Sequence, residues 1–202
     1  ENLKVKAEIN SLAQALHCVF SAHGDVEYSK LVVQLAQSTK DPSLRHIFES
    51  HGDSISLARR LLSMYIHHST KDLVFKYMFP LVNIVQTSPQ SYNFSAAGGN
   101  LSEEKIRNFQ QLCSSFFRGI NMMCENSTAG LQYLMVSLSL RVKNVLGVNS
   151  RRSNAIIFGF ILRNSIISAL ENVEESFGKL SIGKISKTSV HVLKNVAEAL
   201  NK

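Results

Sequence analysis

Apolar residues recur at spacings of three and four along almost the whole chain, whereas strict alternation of apolar and polar residues is scarce. The first pattern places apolar side chains on one face of an α-helix, and the second is typical of a half-buried β-strand. The sequence therefore predicts an all-α protein of about nine helices joined by short connectors. A stacked solenoid and an irregular multi-helix bundle both remain open as arrangements.

Residues that commonly begin and end helices divide this pattern into elements. Ser, Thr and Asn side chains can cap the first free amides of a helix, and Gly adopts the left-handed conformation that ends one. The predicted starts are Ser102, Thr128 (or Ser127) and Ser153, and the predicted ends are Gly24 and Gly147. With Ser153 as a start, Arg151 and Arg152 fall in the preceding loop.

Residues 41–86 show a more specific order of elements. A short helix begins at Asp41-Pro42 and ends at Gly52, Asp53 caps a second helix, and Ser69 with Asp72 begins a third, which Pro80 kinks or divides. The residues that carry the pattern are Leu44-Arg45-His46-Ile47-Phe48, Gly52, Leu57, Leu61-Leu62 and residues 73–85. This order resembles one unit of the armadillo and HEAT class of α-helical repeats. The resemblance implies a concave groove that binds extended peptides.

One clear interruption lies between Thr87 and Asn100, where Ser, Gly and Asn replace the apolar pattern. A stretch of this composition predicts a loop. We interpret residues 1–202 as a single helical domain, with a subdivision at the loop 87–101 as the alternative.

Composition places the chain among globular proteins, since 45% of its 202 residues are hydrophobic and 18% are charged. The most apolar window, residues 155–170, contains Arg163, Asn164 and Ser165, which favours a buried helix over a membrane span. The 3 cysteines are an odd number with apolar neighbours, which predicts reduced, buried thiols. An intracellular location, in the cytoplasm or nucleus, is the corresponding expectation.

Positive charge is concentrated in one stretch. The chain carries 22 Lys and Arg against 15 Asp and Glu, a net charge of +7. Between Asn126 and Leu170 there is no Asp or Glu at all. Such a surface attracts an acidic protein segment or a phosphate backbone. The candidate partner-binding residues in and around it are Arg141, Lys143, Asn144, Arg151, Arg152 and Arg163.

The short link from Val148 to Ser153 predicts that the two flanking helices are antiparallel neighbours. Most of the candidate residues then lie at one basic corner, while Arg163 lies apart within an apolar stretch. Arginine is suited to this role because its guanidinium binds carboxylates through two parallel hydrogen bonds. The same cations also suit the negative end of a helix and a soluble loop, which is the simpler explanation for part of the cluster.

Catalytic and metal-binding patterns are missing from the sequence. No GxSxG, HExxH or P-loop motif is present, and His17, His23 and His191 have no partner at ligand spacing. We therefore expect no cofactor and no enzymatic activity.

The sequence predicts a non-enzymatic protein-interaction scaffold whose basic corner binds an acidic or extended segment of a partner protein. The alternative is a nucleic-acid-binding helical domain that uses the same arginines. Further lysines available to it are Lys179, Lys184, Lys187, Lys194 and Lys202.

Overall fold

The computed structural model describes residues 2–38, 48, 56–93, 102–178 and 185–201, and within these ranges it is helical without a β-strand. The prediction of an all-α fold is therefore confirmed. The helices are α1 (Asn2–His23), α2 (Asp25–Ser38), α3 (Leu57–Thr87), α4 (Glu103–Glu125), α5 (Ala129–Leu146), α6 (Ser150–Leu162), α7 (Ser168–Glu171), α8 (Val173–Phe177) and α9 (Lys187–Leu200). A 3₁₀ turn at Pro89–Ser91 follows α3, and a π-helical segment at Arg163–Ile167 joins α6 to α7.

Several predicted helix limits are confirmed by their capping geometry. The side chains of Ser102 and Thr128 each accept a hydrogen bond from the backbone amide three residues further on. These bonds satisfy amides that would otherwise have no partner at a helix start. Gly24 and Gly147 adopt φ angles of 105° and 63°, which allows the chain to leave α1 and α5.

Helix α3 is one continuous helix of 31 residues, so the prediction of two helices meeting near Ser69 is wrong. The Ser69 hydroxyl donates to a carboxylate on another helix instead of capping a new one. Pro80 lies inside the helix without ending it. The short helix predicted at residues 41–52 lies outside the described residues, apart from Phe48. The resemblance to an armadillo unit therefore stays a prediction.

The chain forms two compact units, each built from two separate stretches of sequence. The first unit comprises Glu1–Thr70 and Ser127–Asn164, and the second comprises Lys71–Asn126 and Ser165–Lys202. The single-domain interpretation and its alternative stay predictions.

In the first unit α5 is the central helix, packed between α2 and α6. One face of α5 contributes the buried side chains of Leu131, Leu134, Leu138 and Val142 to the core. Helix α1 packs on α2 and buries Ala13 completely. Because α5 contacts core residues with one face only, its opposite face is left to the solvent.

Asp25, the first residue of α2, connects three helices of this unit. Its carboxylate accepts hydrogen bonds from the Gly130 amide of α5 at 2.7 Å and the Tyr65 hydroxyl of α3 at 2.8 Å. The Ser69 hydroxyl of α3 adds a third, at 3.2 Å. Burial raises the pKa of Tyr65, so the phenol stays protonated and donates to the carboxylate. The Gly130 amide belongs to the first turn of α5, where a negative charge also interacts favourably with the helix dipole.

The second unit is built from the last part of α3 together with α4, α7, α8 and α9, and α9 packs against α7. Helix α9 buries its apolar face, including Val192 and Val196, and Phe79 of α3 stacks on Phe177 of α8 at 6.2 Å between ring centroids. On α4, Phe116 is buried, whereas the adjacent Phe117 is 51% exposed, because its position lies on the solvent face of the amphipathic helix.

The cysteines are free thiols. Cys18 and Cys124 are exposed and Cys113 is half-buried, so the prediction of buried thiols is wrong for the first two. Their apolar neighbours in sequence point in other directions on the helix, which is why adjacency was a poor guide to burial. Burial raises the pKa of the Cys113 thiol.

The continuous helical run Ser150–Glu171 is long and apolar enough to cross a membrane by length and composition. Its most apolar 18-residue window has a mean hydropathy of 1.4. Half of that window (50%) is buried inside the protein. Core helices of water-soluble proteins pass the same test, so hydropathy alone does not distinguish the two environments. The interpretation as a buried core helix stays a prediction.

Candidate interaction surface at the turn between α5 and α6

A three-residue link, 147–149, reverses the chain between α5 and α6, and the two helices pack against each other. Asn149 begins α6, since its side-chain oxygen accepts the Arg152 amide at 2.9 Å. The predicted start at Ser153 is wrong by one turn. Ser153 is instead buried, where its hydroxyl bonds the Ser139 hydroxyl of α5 at 3.0 Å.

This earlier start moves Arg151 and Arg152 out of the predicted loop and into the first turn of α6. The amino end of a helix carries a partial positive charge and favours acidic side chains. Two exposed arginines at this position therefore add to the positive potential of the helix end. Stabilisation of the helix therefore does not explain why arginine occupies these two positions.

Five of the six candidate residues lie in the last two turns of α5 or in the first turn of α6. Lys143, Asn144, Arg151 and Arg152 are exposed, and Arg141 is half-buried with its Nε atom enclosed. We call these five residues the basic corner. Neither α5 nor α6 contains an Asp or Glu that would offset this charge.

Arg163 is not part of the basic corner. It follows the last residue of α6, about 16 Å along the helix axis from Arg152. There it lies near Arg59 of α3, whose pKa is lowered by burial and by the charge of Arg163. The two arginines belong to a separate region of the first unit.

An apolar groove lies between α5 and α6, beside the basic corner. It encloses a volume of about 380 Å³. Its lining consists of Met135, Val136 and Ser139 from α5, and of Asn154, Ala155, Ile157 and Phe158 from α6. The Ser139 hydroxyl bonds both Ser153 and the Asn154 side chain, so its hydrogen-bonding groups are used within the protein. The groove thus offers a predominantly apolar surface.

Helix α5 extends this surface with a row of exposed apolar side chains. Tyr133, Val136 and Leu140 are 44%, 70% and 58% exposed and are spaced by three and four residues. That spacing places them on one face of the helix, opposite the core face. Sequence reasoning missed this row. The available signal is that α5 carries apolar residues on the face opposite its core face as well as on the core face. Exposed apolar side chains in contiguous groups are typical of interaction sites.

A second polar cluster lies elsewhere in the first unit, around His17 of α1. Its Nδ1 atom is 2.9 Å from the Tyr28 hydroxyl, and its ring meets that of His68 of α3 edge-on at 5.5 Å. The fold therefore gives His17 a histidine neighbour that sequence spacing did not reveal. Among the described residues, no group of three or more His, Cys, Asp or Glu side chains is arranged to hold a metal ion.

We predict that this cluster makes the protein less stable in mild acid. Burial, followed by the charges of His68 and His67, lowers the pKa of His17 from 6.5. The unfolded chain takes up a proton at His17 more readily than the folded one, so stability falls as pH drops below about 6.5. The free energy of unfolding in urea should fall less between pH 7.5 and pH 5.5 for His17→Gln than for wild type. His191→Gln, at an exposed position, is the control and should lose as much stability as wild type. If His17→Gln also lost as much stability as wild type, the prediction would be wrong.

No protein-family model matches the chain, and no curated protein matches it either.

Proposed function

We propose that this chain is a non-enzymatic protein-interaction module whose basic corner binds an acidic segment of a partner protein. The observation that supports the proposal best is that exposed cations in the first turn of α6 closely precede, along the same helix, the residues that line an apolar groove. Protein-binding surfaces combine an apolar centre with charges at the rim, which select partners by sign. A nucleic acid, in contrast, is bound mainly through its phosphates, which are spread along its backbone.

The charge of the corner provides a direct test. A phage library of random 16-residue peptides is selected on the wild-type protein, and the selected peptides should be enriched in Asp and Glu. Their affinity for Arg151→Glu/Arg152→Glu should fall about thirtyfold, from the loss of two charged contacts worth about 1 kcal/mol each. Fluorescence anisotropy with one selected, dye-labelled peptide measures the change.

The same double variant should fold at least as well as wild type. Each new carboxylate lies in the first turn of α6, where it stabilises the helix by about 0.3–1 kcal/mol. Weaker binding would therefore not come from unfolding. Arg107→Glu/Arg118→Glu, at two exposed positions of α4, makes the same change in net charge and serves as the control.

Two outcomes would overturn the proposal. One is enrichment of neutral or basic peptides; the other is equal loss of affinity in the α4 control. A random-sequence DNA duplex at about 50 mM salt tests the alternative function, because phosphate contacts are strongest at low salt. If the duplex bound at the basic corner and no acidic peptide did, the nucleic-acid function would replace the one proposed.

A further inference from the structure

The groove beside the basic corner restricts the shape of what binds there. Its walls are two helices, whose backbone amides and carbonyls are already bonded within each helix. An extended peptide can gain affinity by pairing its backbone with an open sheet edge, and the described residues contain no strand that would offer one. A segment that satisfies its own backbone hydrogen bonds fits this surface better.

The exposed row on α5 has the repeat of a helix-binding surface. Tyr133 and Leu140 are seven residues apart, about 10 Å along the axis, with Val136 between them. A partner helix presents apolar side chains at the same repeat of three and four residues, so the two rows interdigitate over about two turns.

The positive charge of the basic corner further restricts which kind of segment can bind in the groove. The basic corner lies at one end of the groove, and the helices that form the groove supply no acid. A basic helix would be repelled, and a helix with acidic residues at one end would be oriented by them.

We infer that the groove between α5 and α6 binds an amphipathic α-helix of a partner protein, with the acidic residues of that helix over the basic corner. This inference deepens the proposed function and rests on it. The helix presents two or three apolar anchors to the groove and to the row formed by Tyr133, Val136 and Leu140.

Three synthetic 18-residue peptides of matched length test the inference. The first has Leu at helical spacing and Glu at one end; the second has the same composition with Leu at every second position; the third has Lys in place of Glu. We expect the first to bind at least tenfold more tightly than the other two, as measured by fluorescence anisotropy. Circular dichroism should show that it gains helix on binding.

Single substitutions locate the binding site. Leu140→Ser should weaken binding of the first peptide about tenfold, because the apolar contact is lost. Leu12→Ser on α1 is the matched control, since Leu12 is 49% exposed and lies on a different helix. About half of each residue is in solvent, so neither variant should impair folding, and urea unfolding of each verifies this.

The outcomes separate the inference from the proposed function. Equal binding of the first two peptides, with the third excluded, would overturn the helical inference and leave acidic recognition intact. If neither Glu-containing peptide bound, the result would count against the helical inference and against the proposed function. Equal effects of Leu140→Ser and Leu12→Ser would show that the groove is not the site.

Discussion

Asp25→Ala should lower the free energy of unfolding by about 3 kcal/mol, a large part of the stability of a typical domain. The carboxylate accepts hydrogen bonds from Gly130, Tyr65 and Ser69, and bonds to a charged group contribute about 1.5–3 kcal/mol each before overlap between them is considered. Its removal also leaves the Gly130 amide and the Tyr65 hydroxyl without this acceptor. Urea unfolding followed by circular dichroism gives the change directly.

A nearby acid on the same helix provides the control. Glu27 has a side chain that is 59% exposed, and it pairs with Lys30 on α2 at 2.7 Å. Glu27→Ala should change stability by no more than about 0.5 kcal/mol, as is usual for an exposed ion pair. If the two alanine variants differed by less than about 1 kcal/mol, the role assigned to Asp25 would be wrong.

Gly130→Ala should destabilise the protein by about 1 kcal/mol, although alanine is the better helix former. An added Cβ would lie 2.6 Å from both the Asp25 Cγ and the Tyr65 hydroxyl oxygen, closer than packed atoms approach. Crowding of this kind in a packed interior costs about 1–3 kcal/mol, which exceeds the helix-propensity gain of about 1 kcal/mol. The change in urea unfolding free energy tests the sign as well as the size.

Gly159→Ala on α6 is the matched control, because a Cβ there meets no atom within 4 Å. Only the propensity gain remains, so this variant should be more stable than wild type by about 0.5–1 kcal/mol. Combining Gly130→Ala with Asp25→Ala should cost about 1 kcal/mol less than the sum of the single changes, since the carboxylate that crowds the new Cβ is gone. Strict additivity would show that the two residues do not interact.

The sequence was a good guide where local chemistry decides the structure. Ser102 and Thr128 begin helices because their side chains cap free amides, and Gly147 ends one because it adopts a positive φ. Each of these outcomes depends on a few consecutive residues. The all-α class follows from the same local periodicity, and it too is confirmed.

Local chemistry was ambiguous where several capping residues lie close together. Asn149, Ser150 and Ser153 are all suitable caps, and the pattern alone does not choose between them. Ser153 is buried against Ser139, a contact with another helix, and this tertiary contact decides the start in favour of Asn149. Ser69 was misread for the same reason, because its hydroxyl is bonded across to α2.

The candidate site was predictable in part. The short link between α5 and α6 was enough to place the basic corner, since a short connection brings helix ends together. The groove was not foreseen, because both faces of α5 are apolar and the sequence does not show which face is covered. The Asp25 contact with Gly130 was beyond any local pattern, since the two residues are 105 positions apart.

That separation also sets the order in which the protein can fold during its synthesis. The first unit cannot close until α5 has been made, because Val32 and Val33 of α2 lie in the core that α5 completes. At about 5–20 residues per second, the 105 positions between Asp25 and Gly130 take about 5–20 seconds to translate. During that interval the apolar face of α2 remains uncovered by α5, and a chaperone that shields apolar surfaces would have its best opportunity to act on the nascent chain.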